Sequence, residues 1–179
     1  MKKRGRGNNK YMKIQVPYSQ QYNNSACGAA CLVMVYKHYG LKDITQQEIF
    51  EKNKEQEPHG TGATRIATSD LVNDAKERGF NSYSGQVDYS NNDKSIEFVK
   101  QTIKNKIPLI VCQQWKKDRA ILGHFRVVVG YSNKYICVHD PDLEDGSRKQ
   151  KWSYEKFMDY WQRTGDNVIG GQYVIIENK

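Results

Sequence analysis

Cys27 opens the stretch CGAACLVMVYKHYG, residues 27–40, and is separated by Ala26 from the turn-rich Asn23-Asn24-Ser25. A cysteine is a nucleophile only as a thiolate, and a helix N-terminus favours the anion through its unpaired N–H groups and its dipole. Gly28 follows and leaves room for a substrate backbone to come close. Such a thiolate needs a base to form an ion pair with it and later to protonate a leaving group. The chain has four histidines, at 38, 59, 124 and 139. His38 falls about three turns along the same helix and cannot reach Cys27. His59 lies in the Gly-rich stretch PHGTG, and His139 alternates to the opposite strand face from Asp140. His124 heads the strand HFRVVVGY, and Asp140 closes the next strand before Pro141. If these strands pair through a turn at Ser132–Lys134, His124 and Asp140 become neighbours, and the acid can orient the imidazole. The expected site is a Cys27–His124–Asp140 triad. The developing oxyanion needs two donors: the Cys27 N–H and a side-chain amide just upstream, for which Gln20 and Gln21 are both available.

The elements that must position these groups can be read from periodicity. Residues 26–39 form a helix that is apolar nearly all round and therefore buried, with Gly40 as its stop. A short strand precedes it over MKIQV and ends at Pro17. An amphipathic helix follows from Asp43, then a loop over 55–66, then a helix capped by Thr68-Ser69-Asp70 and ended at Gly79. FNSYSGQ reads as a short strand, and DKSIEFVKQTIKN as an amphipathic helix with Ile96, Val99 and Ile103 at helical spacing. Strands then follow at 108–113, HFRVVVGYS and YICVHDP; SYEKFMDYWQR is a helix and GGQYVIIEN a closing strand. Helices first and an antiparallel meander after them define an α+β fold.

The ordered set of Gln21, ACGAACLVMVYKHYG, GHFRVVVGY and HDP resembles the bacteriocin-processing peptidases, which are papain-like cysteine peptidase domains. TSDLVNDAKERGF is similar to that family's middle helix and WSYEKFMDYW to its tail helix, so the resemblance covers residues 13–178. It implies Cys27 as nucleophile, His124 as base and Asp140 as orienter. It selects Gln21 over Gln20 as oxyanion donor, because the family places its glutamine six residues before the cysteine. It also implies a peptide or protein substrate, cleavage of double-glycine leader peptides, and an exporter or a target protein as partner. Many members are the N-terminal part of ABC exporters; no transporter segment follows here, and Ala26 stands where the family often has Asp.

Composition limits the rest. Of 179 residues, the first ten carry five basic side chains and no acid, which leaves 23 basic against 20 acidic in the remainder. Residues 1–11 read as a basic, solvated arm and 12–179 as a single papain-like peptidase domain. The near-balanced remainder predicts no nucleic-acid partner. No apolar run spans a membrane and no signal-peptide core is visible, so the chain reads as cytoplasmic, or exported without a recognisable signal. The cysteines at 27, 31, 112 and 137 suit free thiols, with Cys31 as core packing, and neither a metal nor an organic cofactor is expected. Trp115 and KKDR, 116–119, read as an exposed loop, either placed to touch substrate or a simple solvated turn. The same triad could instead transfer an acyl group or deamidate a target protein, as an effector or toxin would. A degenerate relative would only bind peptides.

Overall fold

The computed structural model describes residues 11–56, 64–88, 90–118, 122–165 and 168–179. The basic residues 1–10, His59 with its PHGTG stretch, and Arg119 lie outside them. The elements in chain order are β1 (Met12–Lys13), α1 (Cys27–His38), α2 (Gln46–Asn53), β2 (Glu55–Gln56), β3 (Thr64–Arg65), α3 (Thr68–Glu77) and β4 (Asn81–Gln86). They continue with α4 (Asn92–Lys104), β5 (Leu109–Gln114), β6 (Gly123–Tyr131), β7 (Tyr135–His139), β8 (Gln150–Ser153), α5 (Tyr154–Gln162) and β9 (Gln172–Glu177).

The α+β class is as expected, but the sheet is not a simple meander. Its order is β4-β9-β5-β6-β7-β8, all antiparallel, with β1 also paired to β6. β9, the closing strand, is inserted between β4 and β5, so it is central rather than an edge. Its run Val174-Ile175-Ile176 is buried, as a strand covered on both faces requires. β8 was not anticipated. Its residues QKWS carry one apolar anchor, Trp152, too little to signal a strand in isolation. The loop expected over 55–66 contains a two-residue pairing of β2 with β3, fixed by Arg65 Nε on Glu55 Oε1 at 2.9 Å.

α1 is buried along Gly28–Tyr36, as its all-round apolar sequence requires, and ends at Gly40 with φ of +92°. It lies against β6, α2 and α3. α2 begins at Gln46 rather than Asp43, because the Thr45 hydroxyl takes the Glu48 N–H and fixes the start there. α5 packs Phe157 against Trp161 edge to face, ring centres 5.3 Å apart, and the Trp161 indole N–H reaches the Gln172 carbonyl at 2.9 Å. Thus α5 braces β9, and β9 braces β5, which pairs with the strand that carries His124.

Candidate active site

Cys27 is the first residue of α1. A tight turn delivers it: Asn23 accepts the Ala26 N–H at its carbonyl, at 3.3 Å, and the Ser25 N–H at Oδ1, at 2.8 Å. Ala26 is fully buried and provides no side-chain cap. The first-turn N–H groups are therefore not spent on a capping side chain and remain for a thiolate or an oxyanion. Burial alone would push the Cys27 thiol up. The hydrogen bond and charge of His124, with the N–H groups of Phe125 and Gly28, outweigh it and hold the thiol below its ordinary value.

His124 and Asp140 meet as the hairpin geometry predicts. β6 and β7 pair antiparallel through the turn at Ser132–Lys134, where the Ser132 hydroxyl takes the N–H groups of Lys134 and Tyr135. His124 Nε2 lies 2.7 Å from Asp140 Oδ1, with both side chains buried. This contact leaves Nδ1 as the ring nitrogen for the sulfur. Burial and the nearby Arg126 charge lower the basicity of His124, but Asp140 and the Cys27 contact reverse that and raise it overall. Asp140 resists its own burial: His124, then Arg126, hold its carboxyl far below the usual range. The three shifts favour one charge state, a thiolate facing an imidazolium backed by a carboxylate.

The loop after Asp140 is tightly folded. The Asp140 N–H reaches the Ser147 carbonyl at 3.1 Å and the Asp142 N–H returns to Asp140 Oδ1 at 3.1 Å. A Cβ on Gly146 would fall 2.0 Å from the Asp142 carbonyl oxygen, so only glycine closes this loop. The two glutamines separate here. Gln20 is exposed and spends its amide on the carbonyls of Asp142 and Leu143, at 3.1 and 3.2 Å. Gln21 is buried; its backbone N–H bonds the Pro141 carbonyl at 2.9 Å and its Nε2 donates to the Asn23 carbonyl at 2.8 Å. Gln21 is thus tied both to the Asp140 loop and to the turn that delivers Cys27.

Cys27 opens into a cleft of about 570 Å³, walled by Thr64–Ser69 on one side and by Leu122, Gly123 and Phe125 on another, with Ile169 and Gln172 beyond. Leu122 and Ile169 are 40% and 51% exposed, large apolar side chains at the mouth of the cleft. Single apolar residues in loops carry no periodic signal, so neither stood out in the sequence. Two expectations need correction. A Cβ on Gly28 would meet Leu71 at 3.1 Å and Phe125 at 3.3 Å, so this glycine serves packing under the helix rather than access by a substrate. Lys116 is not an exposed substrate contact: its ammonium pairs with Glu144 at 2.5 Å and Asp145 at 2.9 Å, bracing the Asp140 loop.

His139 lies apart from the site. Its Nε2 donates to the Val16 carbonyl at 3.0 Å and its Nδ1 accepts the Lys149 N–H at 3.0 Å, which fixes a neutral tautomer. Burial lowers its basicity. Cys31 is fully buried, and burial pushes its thiol well up, as a packing residue requires. The described residues contain no group of three His, Cys, Asp or Glu side chains able to hold a metal, and no described helix is long and apolar enough to cross a membrane.

A helical N-terminal part carrying a cysteine at a helix head, against an antiparallel sheet carrying His and Asp, defines the papain-like class of fold. The sequence profile of the Peptidase_C39 like family matches residues 13–169, and the chain belongs to that family. The fold is shared with the peptidase domain of Streptococcus ComA, a bi-functional ABC transporter of a quorum-sensing pathway: 23% identity, TM-score 0.66, covering 90% of this chain and 97% of that one. It is shared also with a double-glycine-motif protease from an AMS/PCAT transporter, solved with its leader peptide: 19% identity, TM-score 0.64, covering 94% and 95%. A Bacillus anthracis protein described as C39-like superposes with TM-score 0.71 at 17% identity, over 94% of this chain and 98% of that one. No match was found among curated proteins.

Proposed function

We propose that the protein is a cysteine peptidase that cleaves peptide bonds through a covalent acyl-enzyme. The observation that carries this reading is the buried His124–Asp140 contact beside a thiol at a helix head, opening into a cleft. Cys27 thiolate attacks the carbonyl carbon. The oxyanion is received by the Cys27 N–H and Gln21 Nε2. His124 gives its proton to the leaving amine, then takes one from water as that water attacks the thioester. Asp140 keeps the imidazole in the required tautomer throughout.

Leader peptides ending in two glycines are the substrate class we infer. The support is family membership together with the leader-bound transporter protease that shares this fold. The test is a set of peptides containing Gly-Gly, with Gly-Ala and Ala-Ala controls, incubated with wild type and Cys27→Ala. Mass spectrometry should show a new C-terminus after the second glycine, only with wild type. Cleavage indifferent to the glycines would remove the leader assignment while keeping the peptidase. A one-dalton gain or a crosslink in place of a new terminus would redirect the chemistry to deamidation or acyl transfer.

A further inference from the structure

Asp140 has two oxygens, and the proposed mechanism uses only one. Oδ1 receives His124 Nε2 at 2.7 Å and the Asp142 N–H at 3.1 Å. Oδ2 receives Arg126 Nε at 2.6 Å. Arg126 is two residues after His124 on β6, so strand alternation sets both side chains on one face, toward the same carboxylate. The arginine is 2% exposed, and all three of its side-chain nitrogens are engaged: Nη1 donates to the Gln114 carbonyl at 3.0 Å and Nη2 to the Trp115 carbonyl at 2.9 Å. Its guanidinium carbon lies 4.8 Å from the Trp152 ring centre and 5.7 Å from that of Tyr160.

We propose that Arg126 is a positioning residue of the active site, a fourth link that clamps Asp140 against His124 and supplies the charge that balances the buried chain. This rests on the peptidase reading above. Two arguments support it. Geometrically, the carboxylate is gripped at both ends, so it cannot turn its second oxygen toward the imidazole without losing the guanidinium. Electrostatically, thiolate, imidazolium and carboxylate alone leave one uncompensated negative charge in a buried site, and that charge would make the imidazole too reluctant to give up its proton. The guanidinium brings the sum to zero, whether the proton sits on sulfur or on nitrogen. Among the described residues, the other charged or titratable groups around Arg126 are Lys156 and Tyr160 on α5, with Lys156 Nζ 4.2 Å from the ring centre of the far partner Trp152, and the buried thiols Cys31 and Cys112. None of them places a second carboxylate against the guanidinium, so Asp140 is its acidic partner in the site.

The test compares Arg126→Gln and Arg126→Lys with wild type in three readouts: thermal melting, Cys27 alkylation against pH, and kcat and KM on a cleaved peptide. Loss of the positive charge should move both limbs of the pH profile upward in Arg126→Gln, by about half to one pH unit, and lower kcat about tenfold to a hundredfold with KM unchanged. Arg126→Lys keeps the charge and loses the two-ended grip, so its profile should stay in place while kcat falls. In an Asp140→Asn background, Arg126→Gln should lower kcat no further, because the arginine acts through the carboxylate. A variant that melts lower but keeps the wild-type profile and kcat would overturn the proposal and reduce Arg126 to a structural pin. Should Arg126→Gln fail to fold, Arg126→Lys decides: wild-type kcat overturns the clamp. A wild-type protein without a low-pH thiolate would overturn both this inference and the peptidase reading; a normal wild type with unaltered variants would overturn this inference alone.

Discussion

Two buried carboxylates in this protein have nearly the same surroundings and opposite chemical prospects. Asp74 on α3 is fully buried and accepts the Tyr36 hydroxyl at 2.7 Å, Asn53 Nδ2 at 2.9 Å and Arg78 Nε at 2.7 Å. Arg78 in turn lies over the Tyr36 ring, 5.5 Å from its centre. Asp140 likewise has an arginine Nε on one oxygen, and that arginine also rests on an aromatic ring. Burial works against both carboxylates, and in both the hydrogen bonds and charges of their partners outweigh it and hold the acid below its usual range. The difference is one partner. The neighbours of Asp74 keep their protonation states through the neutral range, and burial beside Asp74 drives the Tyr36 phenol far up. Asp140 has instead a histidine, which titrates, and that histidine faces a thiol in an open cleft. A carboxylate–arginine unit is thus a pin between helices in one place and, on the proposed mechanism, a lever on a proton in the other. What decides is whether a titrating group stands between it and a nucleophile.

The comparison breaks most visibly at the nucleophile. Cys27→Ala and His124→Ala should each lower kcat by about 10⁴-fold or more in a peptide-cleavage assay, with melting temperature little changed for Cys27→Ala. Asp74→Ala should do the reverse. It leaves Arg78 without its main partner and should cost about 3–5 kcal/mol in urea unfolding, while Cys27 alkylation per folded molecule stays at the wild-type rate. Next comes the proposed oxyanion donor: Gln21→Ala should lower kcat about a hundredfold, and Gln20→Ala, whose amide only ties down a loop, should stay near wild type.

Acid then probes both carboxylates together. A folded-state pKa below the unfolded value contributes stability that is complete above about pH 4 and is lost as pH falls through the folded value. Urea midpoints should therefore drop between pH 4 and pH 2, and Asp74→Asn should flatten part of that slope. The smallest effect expected is at His139. Its folded pKa is also depressed, so stability is lost as pH falls below about 6.5. His139→Gln should remove that slope at a cost of about 1 kcal/mol at neutral pH, with activity unchanged.

Much of this was legible in the chain. The helix head, the hairpin and the pairing of His124 with Asp140 follow from one helix signal, one turn and strand alternation. The choice between Gln20 and Gln21 did not follow from the residues themselves, because both precede the cysteine at workable distances; burial and the Pro141 contact separate them. Arg126 did leave a trace, a single charge inside the apolar run HFRVVVGY, where a buried strand tolerates one only if it is paired. The position of β9 left none, since periodicity states that a strand exists and is buried but not which strands flank it. β8 was hidden by its shortness. Gly28 does answer a need for space, but for packing rather than for a substrate, and the neighbours that need it, Leu71 and Phe125, come from distant parts of the chain.

The place of β9 bears on how the protein is made. Synthesis runs from the N-terminus, and residues 172–177 emerge after every other strand of the sheet. Until then β4 and β5 have no partner between them, and the strand that follows β5 in space must hold His124 with one side of its neighbour open. Non-local pairing of this kind closes late and slowly, and it exposes strand edges while it waits. A ribosome-bound chain halted before residue 172 should therefore carry Cys27, His124 and Asp140 without the rigid sheet that aligns them. On the peptidase reading, such a chain should not cleave peptides until the final strand is drawn into the middle of the sheet.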